Sequence, residues 1–322
     1  MVGKIFKFDE VVILKERKYD VLAVGELLID MISEEYGDNM KGDSYHKYFG
    51  GSPANIAMNV KKLGINSYIA SAVGADGFGK FLIEHLNSAG IDVSCIQQVD
   101  YSTSMVLLTK SKSSPIPIFY READYHMKYT PELENAIMNS KIVHFSCWPL
   151  SRQPVRATME RVIKEAGKHN CLIGFDPNYH PMLWEKDEDG VEYVKSIIGK
   201  VDIVKPSEDD AERLFGRDTP ENQIMKFLKL GAKLVVMTLG SKGALVSDGK
   251  ETWKFDSMAE EVVDTTGAGD TFWSGFYAAI VKGDTIREAL KLGFAVSAYK
   301  LKYVGAVVDL PGLEKIKEIY KL

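Results

Sequence analysis

The chain has 322 residues, 45% of them hydrophobic and 26% charged, and a net charge of −5. That length suits one large α/β domain with an appendage, or two modest domains, with a sizeable core, and the negative balance gives no general reason to bind nucleic acid or an anionic membrane. The cysteines, Cys95, Cys147 and Cys171, are three in number and lack CxxC spacing, so reduced thiols in a cytoplasmic setting are expected; no stretch approaches the ~18 apolar residues of a membrane span.

Residues 1–18 read as a local extension. "YDVLAVGELLID" (19–30) follows and reads as one buried strand ending at Asp30, because Val21 to Val24 are an unbroken apolar run. "ISEEYGDNMKGDSYHKYFG" is polar and turn-rich. "SPANIAMNVKKLG" has the spacing of a helix ending at Gly64, and strand-like "SYIASAVG" leads to helical "GFGKFLIEHLNSAG". "TSMVLLTKSKSSPIPIFYREADYHM" (103–127) reads as a hairpin, with Pro115 and Pro117 confining its second run to a sheet edge. Strand-like "KIVHFSCW", "CLIGFD", "VDIVKP", "KLVVMTLG" and "GALVSDG" then alternate with helical "PVRATMERVIKEAGKHN" and "EDDAERLFG". "TFWSGFYAAIVKG" and "IREALKLGFAVSAYKLKYV" close the chain as helices.

This order predicts a mostly parallel central sheet with helices on both faces. The two non-helical excursions, about 31–49 and 102–127, are expected to form a small β lid on one domain spanning 1–322; an ordinary surface excursion is the alternative. Free edge strands of such a lid would suit a homodimer.

The stretch richest in chemistry is "VVDTTGAGDTFWSGF" (262–276). "EEVVD" is expected to end a strand and "TFWSGF" to begin a helix. Gly267, Ala268 and Gly269 between them let successive amides face one space at a helix N-terminus, which makes an anion hole. Asp270 then either caps the helix or serves as a base.

"DTTGAGDTFWSGF" resembles the C-terminal motif of ribokinase-like (PfkB) carbohydrate kinases, and "GGSPANIA" (50–57) resembles their N-terminal motif. The resemblance runs from Tyr19 to about Pro311 and implies an ATP-dependent kinase acting on a small sugar. It implies that Asp270 deprotonates the sugar hydroxyl while the amides of Gly267, Ala268 and Gly269 hold the migrating phosphoryl group. Asp30, Gly50, Gly51 and Asn55 match residues that bind sugar hydroxyls; alone, Asp30 would read as a turn residue and Asn55 as a polar helix position. "FYREADYHM" and "DPNYHPMLW" resemble fructokinases, so D-fructose, giving fructose 6-phosphate, is the first expectation. Ketodeoxygluconate, dehydrodeoxygluconate and ribose stay open. Arg121 is expected either to reach sugar or phosphate, or to pair with Glu122 or Asp124 at the surface.

The resemblance also implies ATP and Mg²⁺. Asp210 of "SEDD" stands where a glutamate organises Mg²⁺ waters, with Ser207 before it; as sequence alone the two form a near capping box. "TLGSKG" matches a nucleotide-binding turn, so Thr238, Gly240 and Gly243 are expected near ATP, although a plain β-turn reads the same way. Lys205 faces phosphates or solvent, and Ala295 and Ala298 are expected to wall the adenine. A potassium ion is implied beside the anion hole, held by Asp264, Thr266 and "GAVVDLP". GxGxxG after the first strand, a P-loop and GxSxG are all missing, which removes dehydrogenase, P-loop NTPase and serine hydrolase readings. A catalytically dead sugar or nucleotide sensor is the remaining rival, and the intact Gly267, Gly269 and Asp270 argue against it.

Overall fold

A computed structural model describes residues 6–37, 42–110 and 117–322. In chain order the first half holds β1 (Tyr19–Val24), β2 (Leu28–Tyr36), β3 (Tyr45–Gly50), α1 (Ser52–Lys62), β4 (Ser67–Gly74), α2 (Gly77–Ser88), β5 (Ile96–Val99), β6 (Met105–Lys110), β7 (Ile118–Tyr120), α3 (Pro131–Met138), β8 (Ser140–Ser146) and α4 (Val155–Lys168). The second half holds β9 (Leu172–Asp176), α5 (Gly190–Ile198), β10 (Ile203–Val204), α6 (Glu208–Phe215), α7 (Pro220–Lys229), β11 (Leu234–Thr238), β12 (Ala244–Ser247), β13 (Thr252–Phe255), α8 (Ala268–Lys282), α9 (Ile286–Lys300) and α10 (Leu313–Tyr320).

Nine strands form the main sheet in the order β13-β12-β11-β10-β9-β8-β1-β4-β5. Pairing is parallel from β11 to β5, and β12 and β13 add an antiparallel edge. Alternation along β1 shows how both faces are covered. Leu22 and Val24 belong to one buried cluster with residues of α3, α4 and α5, whereas Val21 belongs to another with residues of α1, α8 and α9. The expected mostly parallel sheet with helices on both faces is the one that forms. Chain order runs outward from β1 to β4 and from β8 to β11, so the strand order switches between β1 and β8. Ligands of such sheets sit beyond the strand C-termini at that switch.

A second sheet has the order β3-β2-β6-β7, with β3 and β7 as its edges. It gathers parts of the two excursions; residues 38–41 and 111–116, including Pro115, lie outside the described residues. Ile118 and Tyr120 on β7 are exposed.

Three expectations need correction. Residues 19–30 are not one strand: the chain breaks at Gly25 (φ +148), where a Cβ would come 2.9 Å from Pro53. β1 therefore serves the large sheet and β2 the small one, and Asp30 is the third residue of β2 rather than the end of the first strand. The "EEVVD" stretch is not a strand, because Val262 and Val263 are 59% and 52% exposed and have nothing to bury against. The last helical stretch stops at Lys300, after which residues 301–304 turn. No helix among the described residues is long and apolar enough to cross a membrane.

Candidate functional site

A cavity of about 370 Å³ opens beyond the C-terminal ends of β1, β9, β10 and β11, facing β2 and β6. That volume suits a small-molecule site. Its floor is the loop Thr265–Asp270 and the start of α8.

Gly267 precedes α8 with φ +72, the left-handed region, and a Cβ there would lie 2.7 Å from the Ala306 backbone. Only glycine meets both conditions. No side chain caps α8, which rules out Asp270 as its cap. Asp270 sits instead in the first helical turn, where the helix dipole favours a carboxylate. Its Oδ1 accepts from Ser52 Oγ at 2.6 Å and its Oδ2 from Asn55 Nδ2 at 2.9 Å, so α1 aims it. Burial pushes its pKa up to about 6; Ser52 and Asn55 oppose the rise, Asp176 adds to it and Lys205 counters it.

The amides divide. Ala268 donates to the Thr265 carbonyl at 3.1 Å, so the expected role of its N–H in the anion hole is corrected: the turn already uses it. Gly267 and Gly269 have no amide acceptor among the described residues. Lys205 stands beside them, its Nζ 3.1 Å from where a Gly269 Cβ would be. Lys205 is 5% exposed and pairs with Asp176 at 2.8 Å, which rules out a solvated lysine. Trp273 Nε1 donates to Asp176 Oδ2 at 3.0 Å.

Across the cavity, Asp30 is pushed up to about 7, first by burial and then by Asp270. Glu26, buried, is pushed up to about 8, mainly by burial, and accepts from the Ser52 amide at 3.2 Å. Asn55 Oδ1 is buried with no partner, an acceptor left open beside a cavity. Gly51 lines the cavity while Gly50 lies behind it, where a Cβ would strike Asp30 Oδ2 at 2.4 Å. Close backbone approach there serves the Asp30 side chain.

Ser207, Asp210 and Thr238 line the cavity near Lys205. Asp210 Oδ2 accepts from Ser207 N and Oγ, completing the capping box of α6, and Oδ1 accepts from Tyr179 N at 2.7 Å. Burial and then Asp176 push the Asp210 pKa up.

Several expected residues fall elsewhere. Arg121 does not line the cavity; it pairs with Asp124, the alternative expectation, but buried rather than at the surface: Nη2 donates to Asp124 Oδ2 at 2.7 Å, with the two side chains 5% and 1% exposed. Its guanidinium stacks 4.5 Å from the Trp148 ring, and Trp148 Nε1 donates to the same Asp124 oxygen. Trp148, not Arg121, lines the cavity. Ala295 and Ala298 are 0% and 2% exposed in the packing of α9 and do not line this cavity, since their small size serves close packing. Gly240 and Gly243 shape the β11–β12 turn and do not line the cavity, since a Gly243 Cβ would meet the Phe255 carbonyl oxygen at 2.0 Å. Thr266 lines the cavity and Asp264 lies behind it.

Sequence reasoning missed Ser52, Glu26, Asp176 and Trp148. Ser52 lay within "GGSPANIA" and Asp176 ended a strand-like run before "PNY", so both carried a signal. Glu26 was hidden by reading residues 19–30 as one strand.

Comparison with known proteins adds four findings. The family described as pfkB family carbohydrate kinase matches residues 18–312. A Thermoanaerobacterium thermosaccharolyticum protein named ATP-dependent 6-phosphofructokinase is 62% identical over 318 residues, covering 99% of each chain. Among solved structures, the fructokinase of Halothermothrix orenii is similar with TM-score 0.79 at 39% identity, covering 85% of this chain and 97% of that one. A double mutant of Vibrio cholerae fructokinase, solved with fructose, ADP and potassium ion, has TM-score 0.82 at 26% identity over 94% and 99% of the two chains.

Proposed function

The chain belongs to the pfkB family of carbohydrate kinases, and from that premise we propose that it transfers the γ-phosphoryl group of ATP to a hydroxyl of a fructose unit. One observation carries the reading: the Asp270 carboxylate, aimed by Ser52 and Asn55, faces the same cavity as Lys205 and the free amides of Gly267 and Gly269.

In this reading the acceptor binds between Asp30, Gly51 and Asn55. The open Asn55 Oδ1 accepts from one hydroxyl, and Asp30 takes two more. Asp270 removes the proton from the attacking hydroxyl; a pKa of about 6 leaves it ionised at neutral pH yet basic enough to accept. Gly267 and Gly269 amides and the Lys205 ammonium hold the charge of the transferring group. Phosphoryl transfer depends mainly on such positioning and charge stabilisation. Thr238 and Ser207 flank the nucleotide.

Mg²⁺ fits the residues present. Lys205 and Trp273 engage Asp176 through Oδ2, so its Oδ1 is offered as a hard oxygen donor, while Asp210, whose oxygens accept from Tyr179 and Ser207, suits the ion's water shell; the ion prefers few carboxylates with substrate phosphates and water. Asp176 would hold it, with Asp210 ordering its water, and bound there it would neutralise phosphate charge.

Two acceptors divide the supporting observations. Free D-fructose, phosphorylated at its 6-hydroxyl, suits a cavity end lined by Glu26, Asp30 and Asp270. Fructose 6-phosphate is favoured by the name of the Thermoanaerobacterium relative, at the higher identity. The deciding experiment compares kcat/KM for both, with ketodeoxygluconate, dehydrodeoxygluconate and ribose alongside, using ATP and Mg²⁺. A fructose acceptor should lead the panel by at least tenfold, about 1.4 kcal/mol of transition-state discrimination. Equal or better turnover of any of the other three sinks the proposal.

A further inference from the structure

The sequence resemblance implies potassium beside the α8 N-terminus, held by Asp264, Thr266 and residues 305–311. Asp264, the central donor of that set, does not fit a mobile monovalent ion, because protein groups already occupy its carbonyl and both carboxylate oxygens. Lys300, at the end of α9, is fully buried; its Nζ donates to the Asp264 carbonyl at 2.7 Å and lies 3.8 Å from Asp264 Oδ2. The Asp264 carboxylate is also engaged: Oδ1 accepts from Thr266 N and Oγ1 at 2.9 and 2.8 Å, and Oδ2 from the Gly305 amide at 2.7 Å. On the 305–311 segment, a second ammonium, Lys62 Nζ, takes the Val308 carbonyl at 2.6 Å, and Asn59 Nδ2 reaches the Ala306 carbonyl at 3.5 Å. The remaining charged residue of that segment, Asp309, is exposed.

A buried ammonium is costly unless oxygens and an opposite charge surround it. Asp264 supplies both, and it begins the loop that runs to Gly267. The same face of α9 grips this loop again one turn earlier, where Ser297 Oγ donates to the Ala268 carbonyl at 2.9 Å. Lys300 and Ser297 thus pin the two ends of the segment that presents the Gly267 and Gly269 amides.

We infer that the Lys300 ammonium is a built-in cation, a positioning residue that fixes the Asp264–Gly269 loop and makes the enzyme independent of potassium. The inference rests on the kinase reading for its kinetic consequence, and on geometry alone for its binding consequence.

The test uses the full chain at constant ionic strength in potassium, sodium or tetramethylammonium chloride. Wild-type kcat should agree within about twofold among the three, and its melting temperature should be the same in each. Lys300→Met, which keeps the length and removes the charge, should lose at least about tenfold in kcat in tetramethylammonium with acceptor KM within about threefold. Potassium or ammonium should restore part of that loss and raise the variant's melting temperature, as a ligand bound only by the folded state must. Wild-type activation or thermal stabilisation by potassium overturns the inference. So does Lys300→Met with undiminished kcat in tetramethylammonium. The wild-type measurements decide even where the variant fails to fold. Melting needs no substrate, so loss of the proposed sugar activity with cation-independent melting sinks the proposed function and leaves this inference standing.

Discussion

Asp270 draws its chemistry from two neighbours on a different helix. Ser52 and Asn55 hold its carboxylate by hydrogen bonds that lower its pKa, while burial raises it to about 6. Replacing it by alanine should cut kcat by ~10²–10⁴ and leave acceptor KM nearly unchanged, as loss of a general base does; turnover near the wild-type value would remove the base assignment. Asn55→Ala offers a finer probe. Removing a donor to the ionised form raises the Asp270 pKa, so the acidic limb of the kcat/KM profile should move to higher pH. Acceptor KM should rise as well, because Oδ1 is lost. A limb that stays near pH 6 or moves downward would mean Asn55 does not govern this carboxylate.

At the scale of elements, the Arg121 region shows how a residue that reads as functional can be structural. "FYREADYHM" offers an arginine among acids, and sequence cannot say which acid claims it. The chain after β7 turns so that Asp124 and Arg121 meet under the Trp148 ring, out of water. Breaking a buried pair from one side leaves an uncompensated charge, so Arg121→Met should cost about 3–5 kcal/mol of stability. Denaturant unfolding measures this; a loss below 1 kcal/mol would mean the pair is not closed in solution. The same limit explains Ala295 and Ala298. Small apolar residues look alike whether they wall a ligand or let two helices approach. The opposite case is "GGSPANIA", where local spacing sets both a helix and the side chains it presents, so Gly51 and Asn55 were legible although Ser52 between them was missed. Gly25 was not: the apolar run through Val24 and the run Leu27–Ile29 look continuous, and only the positive φ between them separates two sheets.

Across the whole molecule, the alternation of segments was enough to foresee a parallel sheet covered on both faces, because buried strands and amphipathic helices have different periods. The charges inside the cavity were not legible, since they depend on burial. They make the unliganded protein sensitive to pH. Glu26, Asp30 and Asp270 have folded pKa values of about 8, 7 and 6, above those of an unfolded carboxyl group. A raised acid binds more protons folded than unfolded, so its contribution is full below the unfolded pKa and is lost as pH rises through the folded value. Buried His144, lowered to about 3 by burial and then by Lys205, acts the other way, but only below pH ~6.5. From pH 6.5 to 8 the acids dominate, and stability should fall by about 2 kcal/mol, chiefly through Glu26. Chemical denaturation without ligands across this range checks the sign; rising stability would show that these groups ionise freely.

The break at Gly25 has a mechanical consequence. Only Gly25, Glu26 and Leu27 join the strand anchored in the large sheet to the strand that carries Asp30 in the small one. Glu26 is thus both a link between the two sheets and a wall of the cavity. A molecule seated against Glu26 therefore rests on the joint between the two sheets itself.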